Sequence, residues 1–168
     1  ITLTTVRAND LTVTNTSTTA DSDVSLGALS VDGNLSVTAT TGTITDSDVL
    51  TVTGTSSFTT STDDELITLD SANLFTGAVS FTTAGTDGDV TVVNARDLEF
   101  GASTILGDLI ATASGNGDIT QTGTLTVGSV ANNLTVGETI TGGTSGATGV
   151  VVLGASGTTS VTYTHTSG

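Results

Sequence analysis

The side chains able to do chemistry in this chain are almost all carboxylates, and they fall in close groups. Asp21 with Asp23, Asp46 with Asp48, the run Asp63, Asp64 and Glu65, and Asp87 with Asp89 each set hard oxygen donors side by side or two residues apart. Oxygen ligands at such spacing in a turn suit Ca²⁺. This makes Asp46, Asp48, Asp63, Asp64, Asp87 and Asp89 the candidate metal ligands and Ca²⁺ the candidate ion. No group follows an EF-hand loop or the G-G-x-G-x-D nonapeptide. Asp also favours turns on its own account, because its carboxylate bonds to nearby backbone N–H groups. Both readings stand on sequence alone.

Paired carboxylates are also what a glycosidase uses. Such a site needs aromatic platforms or bases to hold a sugar, and this chain has four Phe, one Tyr, no Trp and only Arg7 and Arg96 as permanent bases. Most of the Phe residues occupy core-like positions. His165 is the single histidine, in YTHTSG, with no nucleophile, acid or metal-ligand partner around it. It reads as a solvated tail residue. No catalytic residue and no cofactor is assigned, and the chain is expected not to be an enzyme. Arg7 (RAND) and Arg96 (ARDL) recur at comparable places, which suggests turn ion pairs with Asp10 and Asp97 worth about 0–1 kcal/mol each. A T-x-T pattern on the outer face raises ice binding as a minor hypothesis. It is weakened by breaks in the pattern at residues 25–29 and 98–103.

Composition limits what could carry these groups. The 168 residues include 41 Thr and 21 Gly, with no Pro, Cys or Met, and a formal charge of −15. Thr is stiff at χ1 and favours strands, while Gly serves turns. Leu, Ile and Val are frequent enough to fill a narrow core. The acidity keeps the surface soluble and opposes binding to phosphate backbones, so no nucleic-acid partner is expected. No apolar run approaches the length of a membrane-spanning helix, and no signal-peptide pattern opens the chain, so no membrane insertion is expected. The chain opens on Ile1 with its strand pattern already under way, as a piece of something longer would.

The elements that must position the acids come from alternation. Apolar and Thr or Ser residues alternate with period two nearly throughout, the mark of strands with one buried face. The phrase GNLSVTATTGTITDSDVLTVTG at residues 33–54 returns as GDLIATASGNGDITQTGTLTVG at residues 107–128. Leu35 maps onto Leu109, Ile44 onto Ile119 and Leu50 onto Leu125. Equivalent strand openings recur at Ile1, Val24, Ile44, Ile67, Val90, Ile119 and Ile140. They imply coils of about 20–29 residues, a period at which repeat architectures stack. A similar phrase begins three of the strands: ITLTTVRANDL, ITLDSANLF and VTVVNARDL. Such a unit is too small to bury its own apolar face, but stacked units share one core. The expectation is therefore an all-β, right-handed parallel β-helix, or β-solenoid. Inward positions would be Leu35, Val37, Ile44, Leu50, Val52, Ile67, Leu69, Val90, Val92, Ile119, Leu125 and Val127. The alternative is a β-sandwich built from hairpins. Residues 1–130 form the expected coils. Residues 131–168, rich in Gly and Thr, form a terminal coil, a cap, a small hairpin module or a junction.

The phrases GNLSVTATTGTIT, ITLDSANLFTGAVSFTT and GDLIATASGNGDITQTGTLTVG resemble the repeat region of filamentous-haemagglutinin-like, two-partner-secretion exoproteins, over about residues 33–130. That resemblance implies a right-handed parallel β-helix in a long exported adhesin, matrix protein or toxin shaft. The family's secretion and effector domains have no counterpart in these residues. Separately, LTVGETITGGTSGATGVVV is similar to Gly/Thr repeats of marine phage virion and tail proteins. The expected function is a structural or adhesive rod segment of a large repetitive extracellular or cell-surface protein. The alternatives are a phage virion or tail-fibre component and a polysaccharide-binding or polysaccharide-degrading β-helix. Expected partners are neighbouring copies or adjacent domains of the same long chain, and polysaccharide or a cell surface.

Overall fold

The computed structural model describes residues 1–128 and, beyond them, the backbone of three further strands. The chain divides into two compact units, Ile1–Gly128 and Ser129–Gly168.

The first unit is a stack of six coils. Coil 1 holds β1 (Thr2–Ala8) and β2 (Leu11–Asn15), and coil 2 holds β3 (Val24–Val31) and β4 (Leu35–Ala39). Coil 3 holds β5 (Ile44–Asp46), β6 (Leu50–Val52) and β7 (Ser56–Asp63). Coil 4 holds β8 (Ile67–Phe75) and β9 (Val79–Ala84). Coil 5 holds β10 (Val90–Asn94), β11 (Leu98–Phe100) and β12 (Ser103–Ile105), and coil 6 holds β13 (Leu109–Ala113), β14 (Ile119–Gln121) and β15 (Leu125–Val127). One sheet runs β1-β3-β5-β8-β10-β13, with β6 joining β3 to β8; the other contains β2, β4, β7, β9, β11, β12, β14 and β15.

Every pairing in this unit is parallel, and partners such as Leu11 with Leu35 or Val90 with Leu109 lie one whole coil apart in the chain. A sandwich of hairpins would pair antiparallel across short turns. The parallel pairing thus establishes a β-solenoid and sets the sandwich aside. No helix occurs among the described residues, and none is long and apolar enough to cross a membrane.

Alternation explains the core. Val24, Leu26, Ile44, Leu50, Val52, Ile67, Leu69, Val90, Val92 and Leu98 are all fully buried, and Leu35 and Val37 nearly so. Each such side chain contributes about 1.5–3 kcal/mol through removal from water. The four Phe residues are buried together. Phe58 stacks on Phe81 with ring centroids 5.7 Å apart, Phe75 meets Phe58 edge-on at 6.0 Å, and Phe100 tilts against Phe81 at 6.1 Å. Close stacking also demands glycine. Gly27 lies inside β3, where a Cβ would come 2.3 Å from the Thr4 carbonyl oxygen of the preceding coil.

The expected strand openings and the inward positions of the last coil need correction. Ile119 is not the strand opening that follows Val90. Leu109 pairs with Val90, and Ile119 pairs with Leu98 in the other sheet. The similarity between residues 33–54 and 107–128 is therefore half a coil out of phase: Leu35 lies in β4 of one sheet and its counterpart Leu109 in β13 of the other. Strands of either sheet obey the same apolar/Thr alternation, so sequence similarity cannot tell them apart. The inward positions of the last described coil are also less covered than expected. Ile119 is 52% and Val127 37% exposed, while Leu125 packs partly against the core.

The second unit contains a three-stranded antiparallel sheet of β16 (Thr139–Thr141), β17 (Thr148–Leu153) and β18 (Thr162–His165), in the order β16-β17-β18. His165 is the last residue of β18. Of the strand openings expected from sequence, Ile140 falls within β16, paired with Gly149.

Candidate functional sites at the turns and on the outer face

Turns of a solenoid leave backbone N–H groups outside the sheet ladders, and such groups need acceptors; some bond to carbonyls of the preceding coil, such as Thr76 N to Val52 O. At several turns an acid or amide of the preceding coil supplies the acceptor. Asp10 Oδ1 accepts from the Asn34 amide at 2.7 Å, and Asn34 Oδ1 accepts from the Thr55 amide at 2.9 Å. Asp23 Oδ1 accepts from both the backbone N–H and the hydroxyl of Thr43, each at 3.0 Å. Asp89 Oδ1 accepts from Asp108 N at 2.7 Å, and Asp97 Oδ1 from Asp118 N at 3.0 Å. The recurring Asp of the turns thus joins coil to coil.

The six candidate metal ligands are distributed as follows. Asp48 caps its own turn, its Oδ1 accepting from Val49 N at 2.7 Å. Asp63 ends β7 and is exposed, as are Asp87 and Asp89. Asp64 has a left-handed backbone, φ 65°, and its Oδ1 accepts from Thr86 N at 2.8 Å and Asp87 N at 2.9 Å. Gly85 just before them has φ 79°, and a Cβ there would meet that same oxygen at 2.3 Å. The successive N–H groups form a concave anion nest, filled by the chain's own carboxylate. These bonds, from Asp87 first and Thr86 second, hold the Asp64 carboxyl below its ordinary pKa. So the structure joins the Asp63–Asp64 turn to that of Asp87–Asp89 through backbone hydrogen bonds. Among the described residues, no three His, Cys, Asp or Glu side chains gather into a group that could hold a metal ion.

Asp46 faces the other way. It is only 9% exposed, with Oδ2 accepting from Asn73 Nδ2 at 2.6 Å and Oδ1 from Asp70 N and Ser71 N at 3.1 and 3.3 Å. Burial pushes its carboxyl above the usual range, against the opposing pull of the Asn73 and Ser71 hydrogen bonds. Glu65 is also pushed up, by burial first and then by the negative charges of Asp23 and Asp21.

Asn73 and Asn94, both fully buried, were missed as structural residues by sequence reasoning. They pair in register between β8 and β10, where the ladder shifts. Asn73 Oδ1 accepts from Leu50 N at 2.8 Å and Asn94 Oδ1 from Phe75 N at 2.8 Å, while Asn94 Nδ2 donates to the Phe75 and Asp97 carbonyls at 3.0 and 2.7 Å. The signal was present in the recurring Asn of the phrases ANLF and VNARDL, the first lying inside β8 and the second ending β10. The expected pairing of Arg96 with Asp97 is replaced: the guanidinium donates to Thr76 Oγ1 at 3.3 Å, while Asp97 takes Asp118 N. Arg7 lies within β1 opposite Ser30, not in a turn.

The outward positions of the second sheet carry hydroxyls in columns. Thr14, Thr38, Thr59, Thr82, Thr104 and Thr126 pair successively through all six coils. Thr12, Ser36, Ser57 and Ser80 form a second column through four. Neighbouring coils lie about 4.8 Å apart and alternate residues of a strand about 6.6 Å apart. The result is a two-column grid of neutral hydroxyls on a strongly acidic protein. The supposed break at residues 25–29 lies in the other sheet, within β3, and does not interrupt the grid. The break at residues 98–103 ends the second column after Ser80, because coil 5 turns there at Gly101 and Ala102 and places Glu99 on the outside, while the first column continues through Thr104.

No curated protein and no solved structure matches the chain. A family model described as "Repeats of unknown function (DUF5649)" matches twice, over residues 8–82 and 87–141. These two matches span most of the sequence, and the first covers coils whose register the parallel pairings define. The chain belongs to this family of repeats.

Proposed function

We propose that this chain is a segment of a rigid rod in a large repetitive extracellular surface protein, with a structural and adhesive role and no catalysis. The observation that carries the reading is the recurrence of coil-to-coil contacts along the stack: parallel pairing, a shared core and turn acceptors return from coil to coil. Such a molecule gains length by adding coils, each stabilised by its neighbours. The turn acids support a structural role, since Asp10, Asp23, Asp64, Asp89 and Asp97 are engaged by backbone N–H groups of later residues. The resemblance to exported haemagglutinin-like repeats supports the extracellular setting. Immunogold electron microscopy of the native source tests it. Label along thin fibres projecting from cells is expected, whereas label on a capsid, spike or tail would replace this reading with a virion component.

The hydroxyl grid favours adhesion to a neutral hydroxylated surface such as a polysaccharide. The grid concentrates donors and acceptors where the acids of the turns do not intrude. Co-sedimentation with insoluble polysaccharides tests this: retention is expected for the unaltered chain and is expected to fall at least tenfold in a Thr38→Lys/Thr59→Lys variant. Equal retention of the two proteins would remove the grid from the argument.

A further inference from the structure

We draw no further inference here: the strongest candidate, the incompletely covered inward face of the last described coil around Ile119 and Val127, is an apolar face with nothing in the structure to show what covers it.

Discussion

Replacing Asn94 by Leu should destabilise the stack, although it exchanges a buried polar side chain for an apolar one of the same branching. Asn94 is fully buried, so a Leu there gains at most about 1.5–3 kcal/mol of apolar burial. The loss is larger. The Phe75 N–H, now bonded to Asn94 Oδ1 at 2.8 Å, would be left without a partner, at a cost of about 1–3 kcal/mol. The two bonds from Asn94 Nδ2 to the Phe75 and Asp97 carbonyls carry about 0.5–1.5 kcal/mol each. Mid-range values leave a net destabilisation of about 2 kcal/mol. Urea unfolding should register it as a fall in midpoint of about 1 M, for a slope of about 2 kcal/mol/M. Circular dichroism and Phe-sensitive near-ultraviolet signals should be followed together, because repeat arrays can lose cooperativity. Amide exchange at Val92, whose ladder position is kept, should rise about 30-fold if it occurs by the same opening. An unchanged or higher midpoint, with the slope preserved, would refute the claim that the buried amide is held for its hydrogen bonds.

Ser56 offers the opposite case. Its hydroxyl is buried with no hydrogen-bond partner, so Ser56→Ala should raise stability by about 1 kcal/mol, read from the same urea midpoint. Gly27→Ala, which drives a Cβ into the Thr4 carbonyl, should lower stability by about 1–3 kcal/mol; a neutral effect would mean that coils 1 and 2 are more loosely stacked than the structure has them. Titration separates the two carboxylates whose shifts differ in sign. The Asp64 pKa is lowered, so its stabilising contribution is present above the unfolded value of about 3.8 and is lost as pH falls through the folded value. The Asp46 pKa is raised, so its contribution is present below that unfolded value and is lost as pH rises through the folded one. From pH 2 to 6, the midpoint difference from the unaltered chain should therefore move against Asp64→Asn and in favour of Asp46→Asn; parallel curves would dismiss both assignments. Finally, a formal charge of −15 predicts that NaCl raises the melting temperature by screening. If the turn carboxylates act only through backbone bonds and repulsion, CaCl₂ at equal ionic strength should give a rise of similar size. A much larger, saturable effect of Ca²⁺ that is lost in Asp87→Asn/Asp89→Asn would locate a metal site at that turn.

Much of the architecture was legible because burial leaves a periodic trace. Leu35, Val37, Ile44, Leu50, Val52, Ile67, Leu69, Val90 and Val92 were marked by alternation and lie in the core. The succession Ile44, Ile67, Val90 was marked by spacing and pairs in that register. The candidate site was less legible. Asp46 and Asp64 look alike in sequence, each an acid of a turn cluster. Yet one is turned toward the buried amide of Asn73 and the other sits in a backbone nest supplied by the next coil. Which backbone N–H an acid meets depends on what that coil places over it.

By itself, the sequence determined strand content, a two-residue period, repeated units and an acidic surface, since each follows from local residue type and its spacing. Only the tertiary structure decided the phase of the coils, putting Leu109 over Val90 and Ile119 over Leu98. It also decided the alignment of Thr14 through Thr126 into one column. Both are matters of register between segments a whole coil apart in the chain, and strands with the same alternation are locally equivalent. The choice among registers belongs to close packing at positions such as Gly27 and to buried hydrogen bonds such as that from Phe75 to Asn94, which form only when the right coils meet.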